Sequence, residues 1–143
     1  MSGRFVIDTN CLLQSISRRS RYYPIWRGFV DGAYTLCVTT EILEEYEEIL
    51  GRYLSPSVAR LVVAAILRAP NTERVDAQFR FGLITDDPDD NKFVDCAIVA
   101  NAKCIVTNDA HFDVLKTIAF PQVAILDIDE FLTLLTTAQE AEK

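Results

Sequence analysis

The chain has 143 residues, half of them apolar and 24% charged, which suits one packed domain and excludes wholesale disorder. Its formal net charge is −7, from 21 acidic against 14 basic residues, which excludes a basic coat for nucleic acid. An enzyme whose acids are neutralised by bound cations fits that balance.

Strand and helix patterns alternate along the chain. Residues 4–8 form a short β-favouring run, Arg-Phe-Val-Ile-Asp, that ends in a charge. A loop follows, then a helix over 22–32 with Pro24 near its start. Residues 34–38 predict a second strand, and Thr39 or Thr40 can cap a helix over 41–53. Ser55 and Pro56 form an N-cap followed by proline at the first helical position, opening a helix over 57–69. Residues 71–78 are ambiguous and compatible with a short strand, and 85–90 form an Asp- and Pro-rich loop before a helix over 91–102. Strands over 104–107 and 123–126 flank a short helix near 111–116, and a helix over 129–135 closes the pattern.

No linker or repeat divides the sequence, so a single domain over 1–143 with its core at about 4–135 is expected, the polar residues 136–143 fraying. No apolar run approaches the ~20 residues of a membrane span. Phe5–Ile7 is too short for a leader peptide and is interrupted by Asp8. Cys11, Cys37, Cys96 and Cys104 lie in apolar runs without C-x-x-C spacing and read as buried free thiols in a reducing, cytoplasmic setting.

Strands separated by helices imply a mostly parallel sheet with helices on both faces, an α/β architecture. Function in such sheets lies beyond the carboxyl ends of the strands. Asp8 follows its strand directly and Asp109 follows Ile105-Val106-Thr107-Asn108, so both project at one edge if the strands are parallel, although either alone would serve as a helix N-cap. In the helix over 41–53, Ile42, Leu43, Tyr46, Ile49, Leu50 and Tyr53 make one apolar stripe. Glu41, Glu44 and Glu48 face away from it, whereas Glu45 and Glu47 flank it, and Glu45 is nearer the helix start. Asp86, Asp87, Asp89 and Asp90 crowd around Pro88 before the next helix, more acids than one cap requires. Asp95 shares a polar helix side with Asn91 and Lys92 and reads as a solvated residue first, a supporting acid second. Converging carboxylates repel one another unless cations or protons intervene. An all-oxygen donor set suits Mg²⁺ or Mn²⁺, which activate water for attack on a phosphodiester.

With these residues the sequence resembles the PIN domain family, and within it the toxin components of prokaryotic toxin–antitoxin pairs. The matching pieces are Val6-Ile7-Asp8-Thr9-Asn10, then Thr39-Thr40 with Glu44-Glu45-Tyr46, then Asp87-Pro88-Asp89-Asp90-Asn91-Lys92-Phe93, then Ile105-Val106-Thr107-Asn108-Asp109 with Phe112. Their order spans residues 4–135. The resemblance implies a three-layer α/β/α sandwich with a mostly parallel five-stranded sheet. It implies a cytoplasmic metal-dependent endoribonuclease, in which Asp8, Glu45, Asp90 and Asp109 are catalytic and bind Mg²⁺ or Mn²⁺. Asn10, Thr107, Asn108 and Asp95 become second-layer or substrate-positioning groups. Asp87, Asp89 and Asp95 compete with Asp90 for the third acid, and Asp90 matches the family's position best. Water would attack phosphorus in line, leaving a 5′-phosphate and a 3′-hydroxyl. The implied partners are RNA, a cognate antitoxin protein and a second copy paired through helices. Leu61, Val62, Ala65 and Ile66 fit either core or interface.

Arg18, Arg19 and Arg21 cluster with Tyr22, Tyr23 and Arg27 close enough after Asp8 to line the same cleft. They suit RNA phosphates and bases or an acidic antitoxin segment. His111 is the single histidine, which excludes a catalytic histidine pair within one chain, and it reads as a surface residue. A haloacid-dehalogenase phosphatase would need an Asp where Asn10 stands, and no phosphate-binding glycine motif is present. The other reading is a catalytically inactive PIN-like module that binds RNA or protein.

Overall fold

Phe5, Val6 and Ile7 are 0%, 0% and 1% exposed. Successive strand residues point to opposite faces, so burying all three requires cover on both sides of the sheet. The computed structural model, which describes residues 3–77, 80–85 and 88–141, supplies that cover. In chain order the elements are β1 (Arg4–Ile7), α1 (Thr9–Ile16), α2 (Tyr23–Val30), β2 (Thr35–Val38), α3 (Thr40–Tyr53), α4 (Pro56–Arg68) and β3 (Thr72–Arg74). A 3-10 turn (Pro88–Asp90) then leads into α5 (Asn91–Ala100), β4 (Cys104–Val106), a 3-10 segment (Ala110–Thr117), β5 (Ile125–Leu126) and α6 (Ile128–Ala141).

The five strands run in the order β3-β2-β1-β4-β5, and every pairing is parallel. Helices on both faces complete a three-layer α/β/α sandwich. The chain moves outward from β1 through β2 to β3, then crosses back to lay β4 on the other side of β1. The strand order therefore reverses between β1 and β4, and ligand crevices of open parallel sheets form at such a reversal. The β1–β4 register pairs Phe5 with Cys104, Val6 with Ile105 and Ile7 with Val106, so one step further Asp8 comes beside Thr107.

Two helix starts follow their capping chemistry. Thr39 and Ser55 accept hydrogen bonds from the amides of Ile42 and Val58 at 3.2 and 3.1 Å. On the Phe5 side of the sheet, α6 supplies Phe131, packed on Phe5 at 4.8 Å and on Tyr34 at 5.2 Å between ring centres. The four cysteines are buried and free. Val62 and Ile66 belong to the core, whereas Leu61 is 67% exposed.

Several elements differ from expectation. The stretch after Asp8 is helix α1, not loop, because Cys11 and Leu12 bury on one side of a single helical turn pattern that is too short to register as periodic. Residues 136–141 continue α6 rather than fray, and 142–143 lie outside the described residues. Tyr53, expected on the buried stripe of α3, is 64% exposed. Asp95 is buried, not solvated: residues 81–84 lie over α5 and need acceptors for their amides. Asp95 Oδ1 takes the Phe81 N–H at 3.1 Å, and one turn earlier the Asn91 amide pairs with both N–H and C=O of Ile84 at 2.9 and 2.8 Å.

Candidate active site

Asp8 and Asp90 occupy N-cap positions of α1 and α5, yet neither makes a side-chain cap hydrogen bond. Asp8 is 7% exposed, and its Oδ2 accepts the Thr107 hydroxyl hydrogen at 2.8 Å. Burial raises its pKa to about 6. The Thr107 bond and the Thr9 amide oppose that rise, while the negative charges of Glu45 and Asp109 add to it. Asp8 thus lies within electrostatic reach of two of the other three expected acids.

Thr107 also accepts the Asp109 amide N–H at 3.1 Å, so one hydroxyl ties Asp8 to the Asp109 backbone. Asp109 does act as a cap, its Oδ1 accepting the His111 amide at 2.9 Å. That turn sets the His111 imidazole beside two carboxylates, with Nδ1 3.4 Å from Asp109 Oδ1 and 3.7 Å from Asp90 Oδ2. His111 is exposed at the start of the 3-10 segment, as expected of a surface residue, and its imidazole stands beside two of the expected acids.

Glu45 arrives from α3, held there because Tyr46 beside it is wholly buried and donates its hydroxyl hydrogen to the Ile7 carbonyl at 2.5 Å. The other acids of α3 are exposed, and Glu45 is half-buried. It accepts hydrogen bonds from the Thr9 hydroxyl and from Lys92 Nζ, the latter at 2.7 Å. Burial disfavours the Lys92 ammonium, yet the Glu45 contact holds its pKa above the ordinary range. Lys92 and Thr9 were not singled out as site residues. Only the tertiary meeting of α1, α3 and α5 gives them a role.

A cleft of about 330 Å³ is lined by Asp8, Asn10, Leu13, Gln14, Asn108 and Asp109. Asn10 therefore faces the cleft. Asn108 lines it too, while its Oδ1 accepts the Ile128 amide at 3.0 Å and so fixes the start of α6. Asp95 stands apart in a second hollow of about 370 Å³, lined also by Glu41, Arg74, Arg80 and Lys92. Lys92 separates the two regions, since it binds Glu45 and borders that hollow. Among the alternatives for the third acid, Asp90 is the one beside Asp109 and His111, Asp89 is exposed, and Asp86 and Asp87 lie outside the described residues.

The arginines do not line the cleft, whose α1 residues stop at Gln14. Arg18, Arg19 and Arg21 are exposed beyond the far end of α1, and Arg21 pairs with Asp129 at 3.2 Å. Arg27 pairs with Asp31 at 3.2 Å. The unexpected helix α1 accounts for the difference, since it interposes eight residues of rigid chain between Asp8 and the basic turn.

The family model of the PIN domain matches residues 4–111. The chain belongs to the PIN domain family. PIN domains are generally nucleases, hydrolases of phosphodiester bonds. No curated protein matches the sequence. Among solved structures, VapBC2 from Rickettsia felis bound to a DNA fragment from their promoter is similar at a TM-score of 0.60 and 16% identity, over 87% of this chain and 98% of that one. DNA-bound VapBC from Salmonella typhimurium follows at 0.54 and 18%, over 87% and 98%. The PIN domain endonuclease Utp24 gives 0.52 and 16%, over 87% and 84%. At such identities the likeness is one of fold. Among the described residues, no helix is long and apolar enough to cross a membrane.

Proposed function

We propose that this PIN domain protein is a divalent-metal-dependent endoribonuclease, the toxin of a toxin–antitoxin pair working in the cytoplasm. The observation that carries the reading is the convergence of Asp8 and Asp109 through Thr107 at the strand-order reversal, with Glu45 and Asp90 reaching the same group. The solved structures of VapBC2 with promoter DNA and of the endonuclease Utp24 support the partner class and the reaction class respectively.

The residues present fit a divalent ion. Carboxylate oxygens dominate the donor set, and ligand atoms of Asp90, Asp109 and His111 lie within 4.8 Å of one another. Asp8, whose charge is disfavoured by burial and by neighbouring acids, is the kind of group a cation relieves. Asp8, Glu45, Asp90 and Asp109 would hold Mg²⁺ or Mn²⁺. When bound, such an ion makes water more acidic and stabilises charge developing on the phosphoryl oxygens. The chain's own groups do the rest. Thr107 fixes the Asp8 carboxylate, and Lys92 and Thr9 fix Glu45. Asn10 and Asn108 line the cleft where the phosphodiester would lie, and Asp95 acts at a distance by fixing residues 81–84 over α5. Arg18, Arg19 and Arg21 take up RNA beyond the cleft or an acidic antitoxin segment. No side chain acts as nucleophile: water attacks phosphorus, the bond from phosphorus to the 3′ oxygen breaks, and that oxygen leaves with a proton, giving a 5′-phosphate and a 3′-hydroxyl.

The test is cleavage of single-stranded RNA with Mn²⁺, with chelator, and by Asp8→Asn purified in parallel. Loss of cleavage in both controls is expected. Equal cleavage by the variant would trace the activity to a contaminant and leave the inactive binding module as the reading.

A further inference from the structure

Resting on the nuclease reading above, we infer that His111 supplies a nitrogen ligand to the ion held by Asp90 and Asp109, and so biases the site toward transition ions over Mg²⁺. The histidine is placed by local chain geometry. Asp109 Oδ1 accepts the His111 backbone N–H at 2.9 Å, which folds 109–111 into a turn and sets imidazole and carboxylate on the same side. Nδ1 then stands 3.4 Å from Asp109 Oδ1 and 3.7 Å from Asp90 Oδ2.

These separations lie a few tenths of an ångström above what one ion requires. Nitrogen and oxygen ligands lie about 2.1–2.3 Å from such ions, so neighbouring ligands of an octahedral ion are about 3.0–3.3 Å apart and opposite ones about 4.2–4.6 Å. The candidate ligand atoms of Asp90, Asp109 and His111 all fall within 4.8 Å of one another. A modest contraction around an ion would bring the observed 3.4 and 3.7 Å into the neighbouring-ligand range. Carboxylates alone form a hard site that suits Mg²⁺, whereas imidazole suits the first-row transition ions, which bind mixed nitrogen–oxygen sites more tightly. Two carboxylates around an imidazole also describe a plain ion pair, and a spectroscopic signature of bound nitrogen separates the two.

The experiment loads the chelator-stripped full chain with less than one equivalent of Mn²⁺ and records the electron spin echo modulation from ¹⁴N. Wild type is expected to show nitrogen modulation. His111→Gln is expected to bind Mn²⁺ without it, and its preference for Mn²⁺ over Mg²⁺ in competition titrations is expected to fall roughly tenfold, the scale at which site partners tune metal affinity. The variant keeps the backbone N–H that Asp109 accepts, so the turn survives. Mn²⁺ bound to wild type without nitrogen modulation, or equal modulation in both proteins, would overturn the role of His111 and leave the acid site standing. No Mn²⁺ bound by wild type at all would overturn the acid site itself and the inference with it.

Discussion

Thr107 donates its hydroxyl hydrogen to Asp8 Oδ2 at 2.8 Å and accepts the Asp109 amide at 3.1 Å, joining the ends of the two central strands through one side chain. Thr107 is 3% exposed, so water cannot replace it. Thr107→Val keeps the branched shape but leaves one buried acceptor and one amide without their partner, which costs about 1–3 kcal/mol. Lower thermal stability, together with RNA cleavage reduced at least tenfold at saturating Mn²⁺, is expected. An unchanged cleavage rate would show that Asp8 needs no such orientation.

Asp8 gives the metal-free protein a pH dependence of defined sign. Its folded pKa of about 6 lies above the ordinary carboxylate value, so the folded state takes up a proton before the unfolded state does. The raised pKa makes ionisation a penalty on folding. That penalty is full above about pH 6 and relieved as the pH falls toward 4, amounting to about 3 kcal/mol at most. In chelator, wild type should therefore gain several degrees in Tm between pH 7.5 and 5, and Asp8→Asn should gain less while being the more stable of the two at pH 7.5. Saturating Mn²⁺ should stabilise wild type more than the variant. Parallel pH profiles for wild type and Asp8→Asn in chelator would contradict this placement of the Asp8 charge.

Much of this site was legible from local signals. An Asp just beyond an apolar run marks a strand end, and Asp8, directly after Ile7, and Asp109, three residues after Val106, carry that signal. The 3.6-residue stripe of α3 set Glu45 and Glu47 apart from Glu41, Glu44 and Glu48, and closeness to the helix start favoured Glu45. What stayed hidden depends on contacts between distant segments. Nothing near Asp95 in sequence announces that residues 81–84 will cover it. His111 reads as surface and is exposed, but its place beside Asp90 depends on another element of the fold. Helix α1 was missed because eight residues give barely two turns of periodicity.

The basic turn after α1 predicts a salt effect. Arg18 and Arg19 are exposed, while the charge of Arg21 is partly offset by Asp129. If this turn meets the phosphates of single-stranded RNA, each neutralised arginine removes about 0.7 from the magnitude of the log–log salt slope. Arg18→Gln with Arg19→Gln should lower that magnitude by about 1.4, and Arg21→Gln alone by less than about 0.7. Binding of RNA to the metal-loaded Asp8→Asn background measures this without turnover. Unaltered slopes would assign the turn to a protein partner instead.

A cation held at the proposed site would compete with Lys92 for Glu45. The Lys92 ammonium lies 2.7 Å from Glu45 Oε1, with side chains only 14% and 26% exposed, so the pair is sheltered from solvent screening. Replacing Lys92 by glutamine removes a positive charge from the edge of the site and keeps a hydrogen-bond donor for Glu45. The repulsion felt by an incoming divalent ion falls, and Mn²⁺ affinity should rise several-fold. Affinity for RNA phosphate should fall in the same variant, because one positive charge leaves the acid-rich edge of the site. Titration calorimetry with Mn²⁺ alone reads the first effect. Weaker Mn²⁺ binding in Lys92→Gln would mean that Lys92 chiefly holds Glu45 in a ligating position, with its charge secondary.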